Sequence, residues 1–342
     1  MSHCTSSWIR SVSLPQPSLT DNTADADRLV AALRQELHTE AVAVDLDLLK
    51  HLPEAIRHWG YRVRCTVFRE RGGWVLTGID SAETPRPALG LAVDLGTTRV
   101  VLLLIDLSTG RPIAESAVDN PQIVIGPDVL TRIHHAETAG GLKELNDLVI
   151  TGLNGAIGAL CRNSGHTPGD ICVLAVAGNT AMTHLFLGLE PRWMIREPYI
   201  PVVNTPGVLR AADLGIGAGP FARVLVFPNI GSYFGGDLIA GILFSGLHRR
   251  HDTAILVDVG TNAEVVLGNE HWLIGCAGAA GPALEGGVTR MGMLAGPGVI
   301  DRVTIDPGSL AFDLHTIEGE TPRGICGSGV IDLAAQLFQA DM

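Results

Sequence analysis

Two stretches of this chain are variations on one pattern. Residues 92–104 read AVDLGTTRVVLLL and residues 255–267 read ILVDVGTNAEVVL. Aligned on the acid, Asp94 matches Asp258, Gly96 matches Gly260, Thr97 matches Thr261 and Thr98 matches Asn262. Both runs then continue into apolar, β-branched sequence. The copies stand 164 residues apart, too far for a solenoid repeat, whose period is about 20–50 residues. The spacing predicts two similar half-domains, each opening with the same strand–turn–strand. At 342 residues the chain has room for about two domains.

The repeated turn carries a chemistry. Gly-Thr-Thr or Gly-Thr-Asn offers backbone N–H groups and hydroxyls with no Cβ at the glycine, which makes a cradle for phosphate. A single Asp before Gly is usually a turn cap; two in matching context point to a shared role. Read as buried at the ends of apolar strands, Asp94 and Asp258 need a partner, because an unpaired buried carboxylate costs several kcal/mol. A hydrated Mg²⁺ bridging to phosphate oxygens supplies it. Strand alternation from Asn262 puts Glu264 on the same face, as a second acid near the terminal phosphate or as a solvated strand acid. Asn179, at the helix start in VAGNTAMTH, either orients an attacking water or caps the helix. In GICGSGVIDL, Gly327, Ser328 and Gly329 open a helix, where a ligand can approach the backbone. No G-x-x-x-x-G-K-[ST] is present, which excludes a P-loop mechanism.

Composition narrows the class. Hydrophobic residues at 46% with aromatics at 5% suit an Ala/Gly/Val/Leu-rich α/β protein. The formal charge of −12 disfavours nucleic acid or anionic membrane as partner. No run reaches the roughly 18 apolar residues of a membrane span, and MSHCTSSWIRSVSLP lacks a signal-peptide core, so a cytoplasmic protein is expected. Cys4, Cys65, Cys161, Cys172, Cys276 and Cys326 form no C-x-x-C pair and no zinc or ferredoxin spacing. Cys65 and Cys172 read as reduced, buried thiols; Cys276 and Cys326 sit in glycine-rich loops and read as accessible.

Along the chain, residues 1–17 read as a leading strand and linker, and 18–80 as a small α+β domain. Its first helix is signalled by Thr20, Asp21 and Asn22, and its hairpin turns at Gly72-Gly73. Residues 81–89 form a polar linker. The first large half follows over 90–252, with strands at 90–95, 98–106 and near 112–118, a long helix from Gly141 and a buried strand at DICVLAVAG. It ends in the helix GGDLIAGILFSGLHRR, with arginines at its C-terminal end. The second half occupies 253–342. His134, His135 and Glu137 read as a surface group, since adjacent histidines do not share a helix face.

Two Asp-x-Gly-Thr turns, a Gly-Asn-Thr helix start between them and a late Gly-Ser-Gly helix start resemble the superfamily of acetate and sugar kinases, heat-shock chaperones and actin. The resemblance implies duplicated actin-like, ribonuclease-H-like ATPase halves that clamp Mg-ATP, preceded here by the small α+β domain. It makes VDLGTT and VDVGTN the phosphate motifs and CGSG the adenosine motif. Asp94 and Asp258 would then hold the Mg²⁺. Gly96, Thr97, Thr98, Gly260, Thr261 and Asn262 would cradle the phosphates, and Gly327, Ser328 and Gly329 would meet the adenosine. A closer resemblance rests on PSLTDNTADADRL, VDLDLLKHLPE, NPQIVIGPDVLTRI, AGNTAMTHLFLGL, GGDLIAGIL and AAGPALEGG. These resemble the ATP-dependent reductive activators of corrinoid proteins. In that family an iron–sulfur domain supplies an electron to the Co(II) corrinoid of a methyltransferase partner, and the ATPase domain drives reduction to Co(I).

By the same resemblance, 18–80 would be the family's middle domain, and the loop GCAGAAGPALEGGVTRMGM would face the corrinoid partner. Three departures stand out. The [2Fe–2S] domain and any cluster-ligand set are missing, so a separate ferredoxin-like donor is implied. The second half is short, as in a fragment. Arg99 replaces a third threonine. The alternatives are a small-molecule kinase of the same superfamily, for a sugar or a carboxylic acid, and an inactive binding module.

Overall fold

A computed structural model of the chain describes residues 8–70, 72–260, 262–279, 289–306 and 308–341. The chain divides into two compact units, Met1–Ile239 and Ala240–Met342.

The first unit begins with a four-stranded sheet in the order β1-β3-β4-β2, from β1 (Ile9–Ser13), β2 (Val42–Val44), β3 (Arg62–Glu70) and β4 (Gly73–Ser81). Strand β1 runs antiparallel to β3, and β2 runs parallel to β4. The alternation of Val63, Cys65 and Val67 turns all three into the core. There they meet Leu29 and Leu33 of α1 (Asp25–Leu37) and Leu48, Leu52 and Ile56 of α2 (Leu46–His58). Helix α1 starts later than its sequence signals. Its N-cap is Ala24, without a side-chain cap. Asp21 instead accepts from Arg28 at 2.6 and 3.0 Å and from Thr23, which holds its carboxyl well below the usual carboxylate range. A salt bridge has taken the residue that would have capped the helix.

The larger sheet of this unit contains β5 (Leu89–Leu95), β6 (Arg99–Asp106), β7 (Arg111–Asp119), β8 (Ile171–Gly178), β9 (Gly207–Arg210) and β10 (Arg223–Val226). Their order is β7-β6-β5-β8-β10-β9, with β5, β8 and β10 parallel and β6 antiparallel to β5. A ribonuclease-H-like half has this arrangement: a meander followed by parallel strands reached through helices. The parallel strands are near-continuous apolar runs, as strands covered on both faces must be. Helix α4 (Gly141–Asn163) lays Leu145, Val149, Leu153, Ile157 and Leu160 on the same core as Leu91, Val93, Leu102, Leu104, Leu174 and Val176. Arg223 joins the two sheets. Its side chain is only 6% exposed and reaches Asp45 at 2.7 Å and Glu70 at 3.1 Å.

Helix α6 (Gly236–Ser245) spans the junction of the units. It stops short of the expected arginines because Gly246 adopts φ +69°, a left-handed stop that glycine takes without a Cβ penalty. Arg249 and Arg250 therefore lie beyond the helix and do not complement its dipole.

Among its described residues the second unit has two three-stranded sheets. One is the antiparallel meander of β11 (Ala254–Val259), β12 (Asn262–Gly268) and β13 (Leu273–Ala279). The other orders β14 (Val299–Ile305) between β15 (Phe312–Thr316) and β16 (Gly324–Ile325). Helix α7 (Gly327–Gln339) lies on β14, and its Asp332 and Gln336 side chains accept from the N–H groups of Val303 (2.7 Å) and Ile305 (3.1 Å). No described helix is long and apolar enough to cross a membrane.

Candidate functional site

The three parallel strands of the larger sheet, β5, β8 and β10, end along one edge, at Leu95, Gly178 and Val226, with Leu95 level with Gly178. Ligands of open α/β sheets bind outside the carboxyl ends of such strands, and the first repeated turn, 96–98, leaves from this edge. The pleat buries Val93 and Leu95 and turns Asp94 to the exposed side. Asp258 is exposed as well. This corrects the sequence expectation: neither acid is buried. Asp94 takes the outward position of an alternating strand, and Asp258 lies in the last residues of β11, which are exposed on both faces. The burial penalty therefore cannot be the reason for a cation there.

What sets the turn apart is how it is held. A Cβ on Gly96 would lie 2.5 Å from the Arg99 carbonyl oxygen, so only glycine closes the turn. All three carbonyls of the turn are engaged from the protein side. Gly96 O accepts from Asn120 Nδ2 at 2.8 Å, Thr98 O from the Asn120 N–H at 2.8 Å, and Thr97 O from Arg132 Nη2 at 2.7 Å. Thr97 is 6% exposed, and its hydroxyl accepts from Asn179 Nδ2 at 3.0 Å. Thr98 is exposed. Asn179 Oδ1 accepts from the Met182 N–H at 2.9 Å and so caps α5 (Thr180–Leu187). Both ends of the Asn179 amide are thus engaged within the protein, one as a cap and one on the turn. Gly235 lies against this residue so closely that a Cβ there would meet Asn179 Cα at 2.3 Å.

The second turn differs in register. Val259 pairs with Ala263 and Asp258 with Glu264, whereas in the first copy Leu95 pairs with Val100 and Asp94 with Val101. The second hairpin is one residue tighter, which brings half-buried Glu264 directly across from Asp258. Like charges so placed are destabilising unless a cation lies near. Gly260 is exposed, Asn262 opens β12, and Thr261 lies outside the described residues.

At the start of α7, Ser328 is exposed while Gly327 and Gly329 are buried. A Cβ on Gly329 would approach Ile300 O to 2.4 Å, so this glycine serves helix–strand packing. Cys326 is 2% exposed and lies 3.0 Å from the Ser328 hydroxyl. The accessible thiol expected there is therefore buried, because the residue belongs to the β16–α7 junction; Cys276 is exposed as expected. Burial pushes the Cys65 thiol up to about 12 and raises Cys161 and Cys172. Among the described residues, no three His, Cys, Asp or Glu side chains converge on a metal position. His135 pairs with Glu144, and Glu137 pairs with Arg196. The glycine-rich loop expected to meet a partner falls largely on 280–288, outside the described residues.

Comparison with known proteins gives three matches to one family: the RACo linker region over residues 5–84, the RACo middle region over 89–250, and the C-terminal domain of RACo, the ASKHA domain, over 252–342. The chain belongs to the RACo family. In the family's own division the small α+β domain is the linker region, so the name "middle" belongs to 89–250 and not to 18–80. The corrinoid activation enzyme RamQ of Eubacterium limosum is 32% identical over 320 residues, covering 93% of this chain and 52% of that protein. A [Co(II) methylated amine-specific corrinoid protein] reductase of Methanosarcina barkeri is 28% identical, covering 74% and 51%. A solved reductive activator for corrinoid, iron-sulfur protein superposes with a TM-score of 0.76 at 38% identity, covering 97% of this chain and 53% of that one. The chain spans about half the length of these relatives. Its fold is mixed α/β, with the RACo middle region followed by an actin-like ASKHA domain.

Sequence reasoning missed Asn120, Gln122 and Arg132 as supports of the first turn. They stand in NPQIVIGPDVLTRI, a stretch the family resemblance singles out, but no periodicity links residue 132 to residue 97.

Proposed function

We propose that this chain binds Mg-ATP and uses it to drive reduction of a partner corrinoid protein from Co(II) to Co(I). The observation that carries the reading is the first turn. Its carbonyls and the Thr97 hydroxyl are tied down from behind, and Asp94 is exposed beside it. Such a turn is pre-organised for phosphate. The named activities of the RACo-family relatives supply the substrate class.

The donor set suits Mg²⁺, a hard cation that keeps several waters and takes one or two carboxylates with phosphate oxygens. Asp94 and Asp258 would hold the hydrated ion, with Glu264 beside Asp258 as a further oxygen donor. The absence of a three-ligand cluster among the described residues is compatible with such binding through water. Bound there, the ion would neutralise phosphate charge. The backbone of Gly96–Thr98 and the exposed Gly260 would cradle the phosphates, with Thr261 and Asn262, and Ser328 would approach the ribose. Asn179 acts by fixing Thr97.

The electron would come from a ferredoxin-like iron–sulfur donor. One electron leaves the reduced donor, and Co(II) becomes Co(I). Each ~59 mV of uphill potential is tenfold in equilibrium for a one-electron couple, which is the gap that nucleotide-driven conformational change would bridge. The reaction belongs to the cytoplasm.

The test is to mix the chain, a Co(II) corrinoid protein and a reduced ferredoxin, with and without ATP, and follow the Co(I) absorption band. An ATP-dependent gain, lost in Asp94→Ala, is expected. No gain over the donor alone contradicts the proposal. ATP consumption stimulated by a sugar or a carboxylic acid would mark a kinase instead.

A further inference from the structure

Arg132 lies in α3 (Val129–Ala136) with no solvent exposure at all. Among the described residues its hydrogen-bond contacts go to four uncharged atoms: Gly126 O at 2.9 Å, Thr97 O at 2.7 Å, Gln122 Oε1 at 3.2 Å and Met182 Sδ at 3.3 Å. Asp128, the carboxylate whose field reaches it, is occupied at the N-terminus of α3, accepting from the Thr131 N–H (2.9 Å) and hydroxyl (2.7 Å). Gln122 is itself fully buried, and its Nε2 donates to Leu145 O at 2.9 Å, so its oxygen is the end left to face the guanidinium.

A fully buried guanidinium without a bonded carboxylate is costly. A hydrophobic residue of similar volume would fill the space more cheaply if packing were the only requirement. Burial draws the Arg132 pKa down to about 10, so the group still carries its charge at neutral pH. That charge lies directly behind the turn, one hydrogen bond from the Thr97 carbonyl. Charges act more strongly through protein than through water, at an effective dielectric of about 20. A polyanion bound on the turn is the ligand that would offset such a cation.

We propose that Arg132 is a positioning residue that gives the 96–98 turn its preference for a phosphorylated ligand, by fixing Thr97 and by placing a buried positive charge behind the turn. The proposal rests on the reading of this turn as a nucleotide-phosphate site and adds the origin of its charge selectivity.

The test is calorimetric titration of ATP, with Mg²⁺, and of adenosine into wild type and three variants, each checked for folding by circular dichroism. Arg132→Gln removes the charge. Gln122→Glu keeps every Arg132 bond but cancels the charge with a neighbouring carboxylate, and so serves if the first variant does not fold. Arg132→Lys keeps the charge. Arg132→Gln and Gln122→Glu are expected to weaken ATP by about tenfold or more while adenosine affinity stays within about twofold. Arg132→Lys is expected to keep most of the preference for ATP over adenosine. A purely structural Arg132 would lower both ligands together. Folded variants that bind ATP like wild type, or lose ATP and adenosine in parallel, overturn the assignment of Arg132 and leave the nucleotide reading standing. A wild type that binds neither ligand overturns both.

Discussion

His184 shows how one side chain links the candidate site to its surroundings. It is fully buried in α5, with Nδ1–H donating to Thr180 O at 2.7 Å and Nε2 accepting from the Val202 N–H at 3.0 Å. The second bond requires the neutral ring, and burial lowers the pKa from the ordinary 6.5. The sign follows from linkage. Below about pH 6.5 the unfolded chain takes up the proton first, so stability present above that pH is lost as pH falls toward the lower folded value. The urea midpoint is therefore expected to drop as pH falls below about 6.5, and His184→Gln is expected to flatten that slope. An unchanged slope in the variant contradicts the assignment. At this scale the sequence was a partial guide. The turn beside Asp94 and Thr97 and the helix start at Asn179 were legible because both are local signals. The exposure of the two acids was misjudged, since an apolar run with one acid does not say which face the acid takes. The bonds from Asn120 and Arg132 to the turn form only when distant segments meet.

Helices and strands were more legible than their ends. Periodicity located α4, β5, β6 and β8 closely, because each buries a continuous apolar face. Terminal signals were weaker: Asp21 went to Arg28, and Gly246 ended α6 ahead of its arginines. The tighter second hairpin was hidden for a similar reason, since matching residues on the acid fixes sequence identity but not strand register. Two glycines test the packing account in opposite directions. Gly329 has no room for a Cβ against Ile300 O, at 2.4 Å, so Gly329→Ala is expected to cost about 1–3 kcal/mol. Gly155 is exposed in the interior of α4 with nothing within 4 Å, so Gly155→Ala is expected to stabilise by about 0.5–1 kcal/mol. Urea unfolding of both variants checks the pair. A neutral Gly329→Ala would mean that α7 and β14 are less closely packed than described.

For the molecule as a whole, the linker sheet and the middle-region sheet are joined in one unit through Arg223, and the ASKHA region forms the other. The duplication was visible from sequence because both copies keep the same acid, glycine and threonine at matching positions. The central claim is the proposed one, that these turns take part in binding Mg-nucleotide. The most direct measurement is calorimetric titration of Mg-ATP into wild type, Asp94→Ala and Asp258→Ala. Saturable, Mg²⁺-dependent binding by wild type, weakened about tenfold or more in each variant, is the predicted result. A silent wild type, or two variants that bind as well as it does, would contradict the claim.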